Sequence, residues 1–197
     1  ICEYCGQVFA ARAGDDHICE SCIRVPYHFQ TARSALLYTG QCASLVHALK
    51  YGGKMQLARP FGLILRRSFE TFWPGADFDL IVPVPLHALR FFTRGYNQAD
   101  LLARRIGHDL GLRVDAGLLR RGRRTAAQTG LDAVQRRRNV RGAFRVARRG
   151  QGGLPQHVAL VDDVMTTGAT LEACTRALLR AGVRSVSLWV AARAPPP

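Results

Sequence analysis

Apolar residues fall along this chain in two rhythms. Short, mostly apolar runs at Ser34 to Tyr38, Asp79 to Val84, Val158 to Val161 and Ser185 to Val190 read as buried strands. Between them, apolar positions three and four apart predict helices. One carries Leu45, Val46 and Leu49 and ends near Gly52 and Gly53. A second runs from about Gln56 to Trp73, with Pro60 early in it. A third is capped by Asn97, has Leu101, Leu102, Ile106 and Leu110 on its apolar face, and stops at Gly111. The last presents Leu171, Cys174, Leu178 and Ala181 and stops at Gly182. This alternation predicts an α/β fold: a central, mostly parallel sheet flanked by helices. Ala194 to Pro197 carries no fold signal, and no internal repeat is visible.

The stretch from His157 to Thr170 is the most informative. A β-branched run ends in two carboxylates, Asp162 and Asp163. A turn of hydroxyls and small residues follows, with Met165, Thr166, Thr167, Gly168, Ala169 and Thr170, and a helix begins at once. This reads as buried strand, acidic turn, loop and helix. Ligands bind at the carboxyl ends of strands in open α/β sheets. Backbone N–H groups of such a loop, backed by a helix N-terminus, suit a phosphate. The two acids would repel that phosphate, so they are expected to face sugar hydroxyls or a metal-bound water. The Gly-Lys-Ser/Thr ending of a Walker loop is absent.

The run Leu160-Val161-Asp162-Asp163-Val164-Met165-Thr166-Thr167-Gly168-Ala169-Thr170 resembles the 5-phosphoribosyl pyrophosphate (PRPP) signature of the type I phosphoribosyltransferases. That resemblance implies acids on the ribose 2′ and 3′ hydroxyls and a loop around the 5′-phosphate. Further motifs stand in order along the chain: two Cys-x2-Cys pairs, Leu49-Lys50-Tyr51, Val82-Pro83-Val84-Pro85-Leu86-His87 and Arg94-Gly95-Tyr96-Asn97-Gln98-Ala99. Together with the signature they resemble the ComF family, whose members have a phosphoribosyltransferase fold and are linked to DNA uptake in natural competence. By that resemblance Pro85, Leu86 and His87, with Lys50, Tyr51, Arg90, Arg94, Asn97 and Gln98, belong at the pyrophosphate side of the site. The X-Pro bonds at Pro83 and Pro85 are candidates for the cis form.

Composition sharpens the picture at both ends. Cys2, Cys5, Cys19 and Cys22 form two CxxC pairs with thirteen residues between them, a spacing that can supply four thiolates to one tetrahedral ion. Residues 1–30 are too short to bury a core, so a structural zinc module is expected there, ahead of a phosphoribosyltransferase-like domain over 31–197. Disulfides and a redox CxxC are the competing readings, and His17 is a further possible ligand. Cys42 and Cys174 fit ordinary core positions. No run reaches membrane-span length and no signal peptide opens the chain, so a cytoplasmic protein is expected.

The net charge of +14, from 28 basic and 14 acidic residues, points to a polyanionic partner. Residues 120–149 hold eleven arginines and a single acid, Asp132. Such a segment is expected to stay mobile until an anion orders it. Arg120, Arg121, Arg123, Arg124, Gln128, Arg138 and Asn139 are its candidate functional residues; Gln128, Arg138 and Asn139 match the ComF pattern. They would serve either as a loop closing over PRPP or as a clamp on single-stranded DNA, with Tyr51, Phe91, Phe92 or Tyr96 as stacking platforms. The resemblance adds Mg²⁺ beside PRPP, and partners in the competence machinery such as a DNA helicase. The acceptor of any transfer reaction is not legible; nucleobase, amine and none at all are compatible.

Overall fold

A computed structural model describes residues 1–8, 17–24, 26–75, 77–123, 132–147 and 153–195. Four parallel strands form the central sheet: β1 (Ala32–Leu37), β2 (Leu80–Pro83), β5 (His157–Met165) and β6 (Ser185–Arg193), in the order β1-β6-β5-β2. Register is set by pairs such as Val161 with Trp189 and Val82 with Leu160. Along β5 and β6 the side chains alternate between two cores, as the two-residue period of a strand requires. Val158, Leu160, Val186 and Leu188 face one; Ala159, Val161, Trp189 and Ala191 face the other.

Helices cover both faces, as the alternating pattern predicts. On one side, α3 (Ala58–Phe72) and α5 (Gln98–Leu110) bury Phe61, Leu65, Leu102 and Ile106. Gly62 lets them approach, since a Cβ there would meet Arg105 Cγ at 2.4 Å. On the other side, α7 (Ala169–Ala181) buries Leu171, Cys174 and Leu178. Two shorter helices border the site: α2 (Gly40–Tyr51) follows β1, and α4 (Ala88–Arg94) follows β2. In place of the one long helix expected from Gln56, a 3₁₀ turn at Met55–Leu57 precedes α3. A short helix α1 (Glu20–Arg24) carries Cys22.

Three expectations need correction. Strand β5 does not end at Val161 but continues through both acids to Met165, because β6 continues beside it to Arg193 and pairs with Asp162, Val164 and Met165. Among the described residues no peptide is cis, so the bonds before Pro83 and Pro85 are trans. The described residues of the basic segment include regular structure. An antiparallel ribbon, β3 (Leu119–Arg121) with β4 (Phe144–Val146), and a helix α6 (Ala133–Val140) lie within or beside it. An Asp132–Gln135 capping box starts α6, and Leu118, Leu119, Val140, Ala143 and Phe144 bury apolar surface beneath the arginines. Net charge concealed those anchors. Arg124 and Gln128 lie outside the described residues.

Candidate functional site

A cavity of about 910 Å³ lies beyond the carboxyl ends of β1, β2 and β5. Val84, Pro85 and Leu86 come from the end of β2; Asp162, Asp163, Thr166 and Thr170 come from β5 and the turn before α7. Lys50 and Tyr51 enter from the last turn of α2, Arg90 and Arg94 from α4, Gln98 from α5, and Arg121 from β3. Apart from Val84, all of these are sequence candidates that the fold gathers around one space. His87, Asn97, Met165, Thr167, Gly168 and Ala169 do not line it but shape its wall. His87 Nδ1 accepts from the Leu89 N–H and caps α4. Asn97 caps α5, and its Nδ2 donates to the Val84 carbonyl at 3.0 Å, tying the two loops together. Arg120, Arg123, Arg138 and Asn139 are not among the lining residues; Arg123 instead donates to the carbonyls of Asn139 and Arg141.

The acid pair has two distinct environments. Asp163 is 2% exposed, and its Oδ1 lies 3.0 Å from Lys50 Nζ. Its Oδ2 is buried and accepts no hydrogen bond from the described residues. Asp162 is partly covered, and its Oδ1 accepts the Asp163 backbone N–H at 2.9 Å. Burial, and after it the charge of Asp163, pushes the Asp162 carboxyl well above the usual carboxylate range, while Lys50 opposes the shift. Burial alone would lower the Lys50 ammonium, but the charges of Asp163 and Asp162 outweigh it and raise it. One ammonium therefore serves two carboxylates. The site holds an excess of hydrogen-bond acceptors on one side, and an orphan buried oxygen is costly until a donor arrives.

The opposite wall is cationic. Arg94 donates to Gln98 at 2.5 Å and sits 5.0 Å from the centre of the Tyr51 ring. Burial, then the neighbouring Arg90, weakens the hold of Arg121 on its proton, although a guanidinium stays charged. Arg136 of α6, not among the sequence candidates, also lines the cavity and donates to Thr166 Oγ1 at 3.1 Å. Converging guanidinium groups beside an acceptor-rich floor suit an anionic ligand that also carries hydroxyls.

The turn between β5 and α7 is held from behind. Arg193 donates to the Thr166 carbonyl at 2.8 Å, and the Tyr27 hydroxyl donates to the Thr167 carbonyl at 2.9 Å. A trans peptide points its C=O and the following N–H in opposite directions. The N–H groups of Thr167 and Gly168 therefore face away from Arg193 and Tyr27. Gly168 takes a left-handed φ of 74° and caps α7 without a side-chain hydrogen bond. Neither Arg136 nor Arg193 had a sequence signal: one lies in an arginine run, the other beyond the apolar core of its strand.

The four cysteines converge behind the turn, on the side of Arg193. Their sulfurs all lie within 4.8 Å of one another, with Cys2 to Cys22 at 3.8 Å and Cys5 to Cys19 at 3.7 Å. A tetrahedral ion with sulfur ligands at about 2.3 Å places them about 3.8 Å apart, so the set fits a zinc-like centre and is not disulfide-bonded. Burial pushes the Cys5 thiol up to about 11 and Cys22 higher still. At Cys2, burial is outweighed by backbone N–H donors from Cys19 and Cys5, which bring it to about 7. His17 is exposed, and its backbone pairs with that of Cys2. Gly6 lets this knuckle lie on β1, since a Cβ would meet the Ala32 carbonyl at 2.7 Å.

No protein-family model matches the chain. Individual proteins do. It is 36% identical over 201 residues to the DNA utilization protein YhgH of Salmonella typhi, covering 98% of this chain and 84% of that one. It is 31% identical over 198 residues to competence protein F of Haemophilus influenzae, covering 97% and 85%. It is 27% identical over 191 residues to competence protein ComFC of Bacillus subtilis, covering 92% and 72%. Among solved structures, a glutamine PRPP amidotransferase from B. subtilis aligns with a TM-score of 0.43 at 19% identity, over 66% of this chain and 25% of that one. With relatives of this identity matched along almost its whole length, the chain belongs to the ComF family, that of the DNA utilization protein YhgH and competence protein F.

Proposed function

We propose that this protein binds PRPP or a phosphoribosylated ligand, as its Mg²⁺ complex, in the cavity above Asp162 and Asp163, and that it serves the handling of incoming DNA in the cytoplasm. The observation that carries the first part is the orphan Oδ2 of Asp163, buried in the wall of a cavity of about 910 Å³. A carboxylate held there with a vacant acceptor suits a ribose hydroxyl or a metal-bound water. The Thr166 to Thr170 turn takes the 5′-phosphate, and Arg90, Arg94, Arg121 and Arg136 face the pyrophosphate. Mg²⁺ supplies neutralisation of the pyrophosphate charge. In a transfer reaction the acids steady the ribose, the arginines stabilise developing negative charge, and the acceptor brings its own nucleophile. Zinc is the ion proposed for the four cysteines, in a module over residues 1–30 that serves stability. The DNA role rests on the names of the relatives, DNA utilization protein and competence protein.

A second reading is favoured by a separate surface. Phe91 and Phe92 of α4 are 47% and 81% exposed, and Tyr51, which lines the cavity with Arg94 over its ring, is 65% exposed. A recess of about 390 Å³ on the ribbon is lined by Arg120 and Arg145. Exposed rings beside guanidinium groups suit single-stranded DNA. In this reading the chain is a DNA-binding module, and the cavity senses a ligand without turnover; a helicase of the uptake machinery is a partner consistent with either. Turnover of PRPP separates them, and titration calorimetry with PRPP and Mg²⁺ tests the site that the first requires. The first reading predicts saturable binding that falls at least tenfold in Asp162→Asn/Asp163→Asn, a loss of about 1.4 kcal/mol or more. Equal affinity of that variant and the wild type would remove the site.

A further inference from the structure

Arg193 is 5% exposed, yet it carries a full charge at the end of β6. Its Nη1 donates to the Thr166 carbonyl at 2.8 Å, and its Nη2 lies 3.7 Å from Cys5 Sγ. One guanidinium thus touches both the ligand turn and the cysteine cluster. A parallel link runs through aromatic rings. The Tyr27 hydroxyl holds the Thr167 carbonyl, the Tyr27 ring stacks on Phe29 at 4.6 Å, and Phe29 lies 6.5 Å from Tyr4, which stands between Cys2 and Cys5. A buried cation needs a nearby negative charge. A thiol and a carbonyl supply none. Four thiolates around a divalent ion carry a net charge of about −2, so the loaded centre supplies the negative charge that Arg193 lacks among the described residues.

We propose that Arg193 is a positioning residue that couples the four-cysteine metal centre to the phosphate turn. With the metal bound, the charged cluster fixes the guanidinium, and the guanidinium fixes the Thr166 carbonyl, which aims the following N–H groups outward. Metal and ligand then reinforce each other, although they bind on opposite sides of the turn. The ligand half of this inference rests on the phosphoribosyl reading; the mechanical half does not. Coupling between two binding sites is reciprocal, so a ligand that needs the ordered turn must also raise the affinity for the metal.

The test uses the zinc-loaded full chain, with Arg193→Met and Arg193→Lys. Hydrogen exchange at residues 166–170, without ligand, is expected to quicken about tenfold in Arg193→Met while zinc content is kept, the size of an ordinary coupling. Arg193→Lys should fall between, because an ammonium still donates to the Thr166 carbonyl but does not bridge to Cys5. Zinc affinity, read from equilibrium competition with a chelator, is expected to rise several-fold under saturating PRPP and Mg²⁺ in the wild type and not in Arg193→Met. Unchanged exchange in a zinc-replete Arg193→Met protein would overturn the proposal. If Arg193→Met loses zinc or does not fold, Arg193→Lys exchange decides in its place, with a wild-type rate counting against. If the wild type binds no PRPP, the phosphoribosyl reading fails; the coupling still stands or falls on exchange of the turn.

Discussion

Replacing Lys50 by Met removes one ammonium from beneath two carboxylates and leaves the apolar stem in place. Helix propensity hardly changes, so α2 should survive. With Lys50 Nζ 3.0 Å from Asp163 Oδ1, the bare attraction is about 5 kcal/mol at an effective dielectric near 20. Desolvation of both charges cancels part of that. What remains measurable is the cost of stranding Asp163, for which breaking a buried pair typically costs about 3–5 kcal/mol. Lys50 keeps 23% of its side chain exposed, which puts the expectation at the lower end, about 3 kcal/mol. Urea unfolding followed by tryptophan fluorescence reads it, since Trp189 is buried in the core with Trp73 packed against it, and both lose that packing on unfolding. The double variant Lys50→Met/Asp163→Asn should recover to within about 1 kcal/mol of wild type, because it removes the stranded charge together with its partner. Neither variant should bind PRPP. A Lys50→Met protein within about 1 kcal/mol of wild type, or a double variant no better than the single one, would refute the view that this ion pair is buried and mutually dependent.

The Asp162 carboxyl titrates above its unfolded value, so its contribution to stability is present below the unfolded pKa and is lost as pH rises through the folded one. Asp162→Asn should therefore stabilise the ligand-free protein at neutral pH, by about 1 kcal/mol in thermal melts, while losing PRPP affinity; a destabilised variant would count against this. PRPP affinity in the wild type should rise with pH across the Asp162 titration, since the ionised form accepts ribose hydroxyls best. Cys22→Ser should lower zinc content and unfold residues near β1, as read by metal analysis and proteolysis; full zinc occupancy would contradict the centre. Acidification should release the metal, because protons compete for the thiolates. Arg120→Ala/Arg145→Ala should weaken binding of single-stranded DNA and flatten its salt dependence by roughly two phosphate contacts, measured by anisotropy at several salt concentrations. An unchanged slope would remove the ribbon from any DNA surface.

The layered fold was legible because periodicity reports burial: Leu102 with Ile106, and Leu171 with Leu178, lie in the core as their spacing requires. The acids and the threonine turn were legible because polar residues directly after a buried run demand a purpose. The extent of β5 was not, because a strand pairs through its backbone and tolerates carboxylates wherever a neighbour continues beside it. The ribbon and α6 were hidden for a related reason. Their anchors, among them Leu118, Val140 and Phe144, are few and scattered, and arginines dominate any window drawn around them. Arg193 and Arg136 were illegible in principle, since nothing local marks one guanidinium as reaching Thr166 from another part of the chain. The left-handed φ of 74° at Gly168 strains any residue with a side chain there.

The claim on which the rest depends is that a sugar phosphate docks between Asp162, Asp163 and the turn before α7. A crystal structure of the full chain with PRPP and Mg²⁺ measures it directly. The account predicts ribose hydroxyls within hydrogen-bond distance of the two carboxylates and the 5′-phosphate on the N–H groups of the Thr166 to Thr170 turn. PRPP seated elsewhere, or a cavity that stays free of it at saturating concentration, would contradict the account.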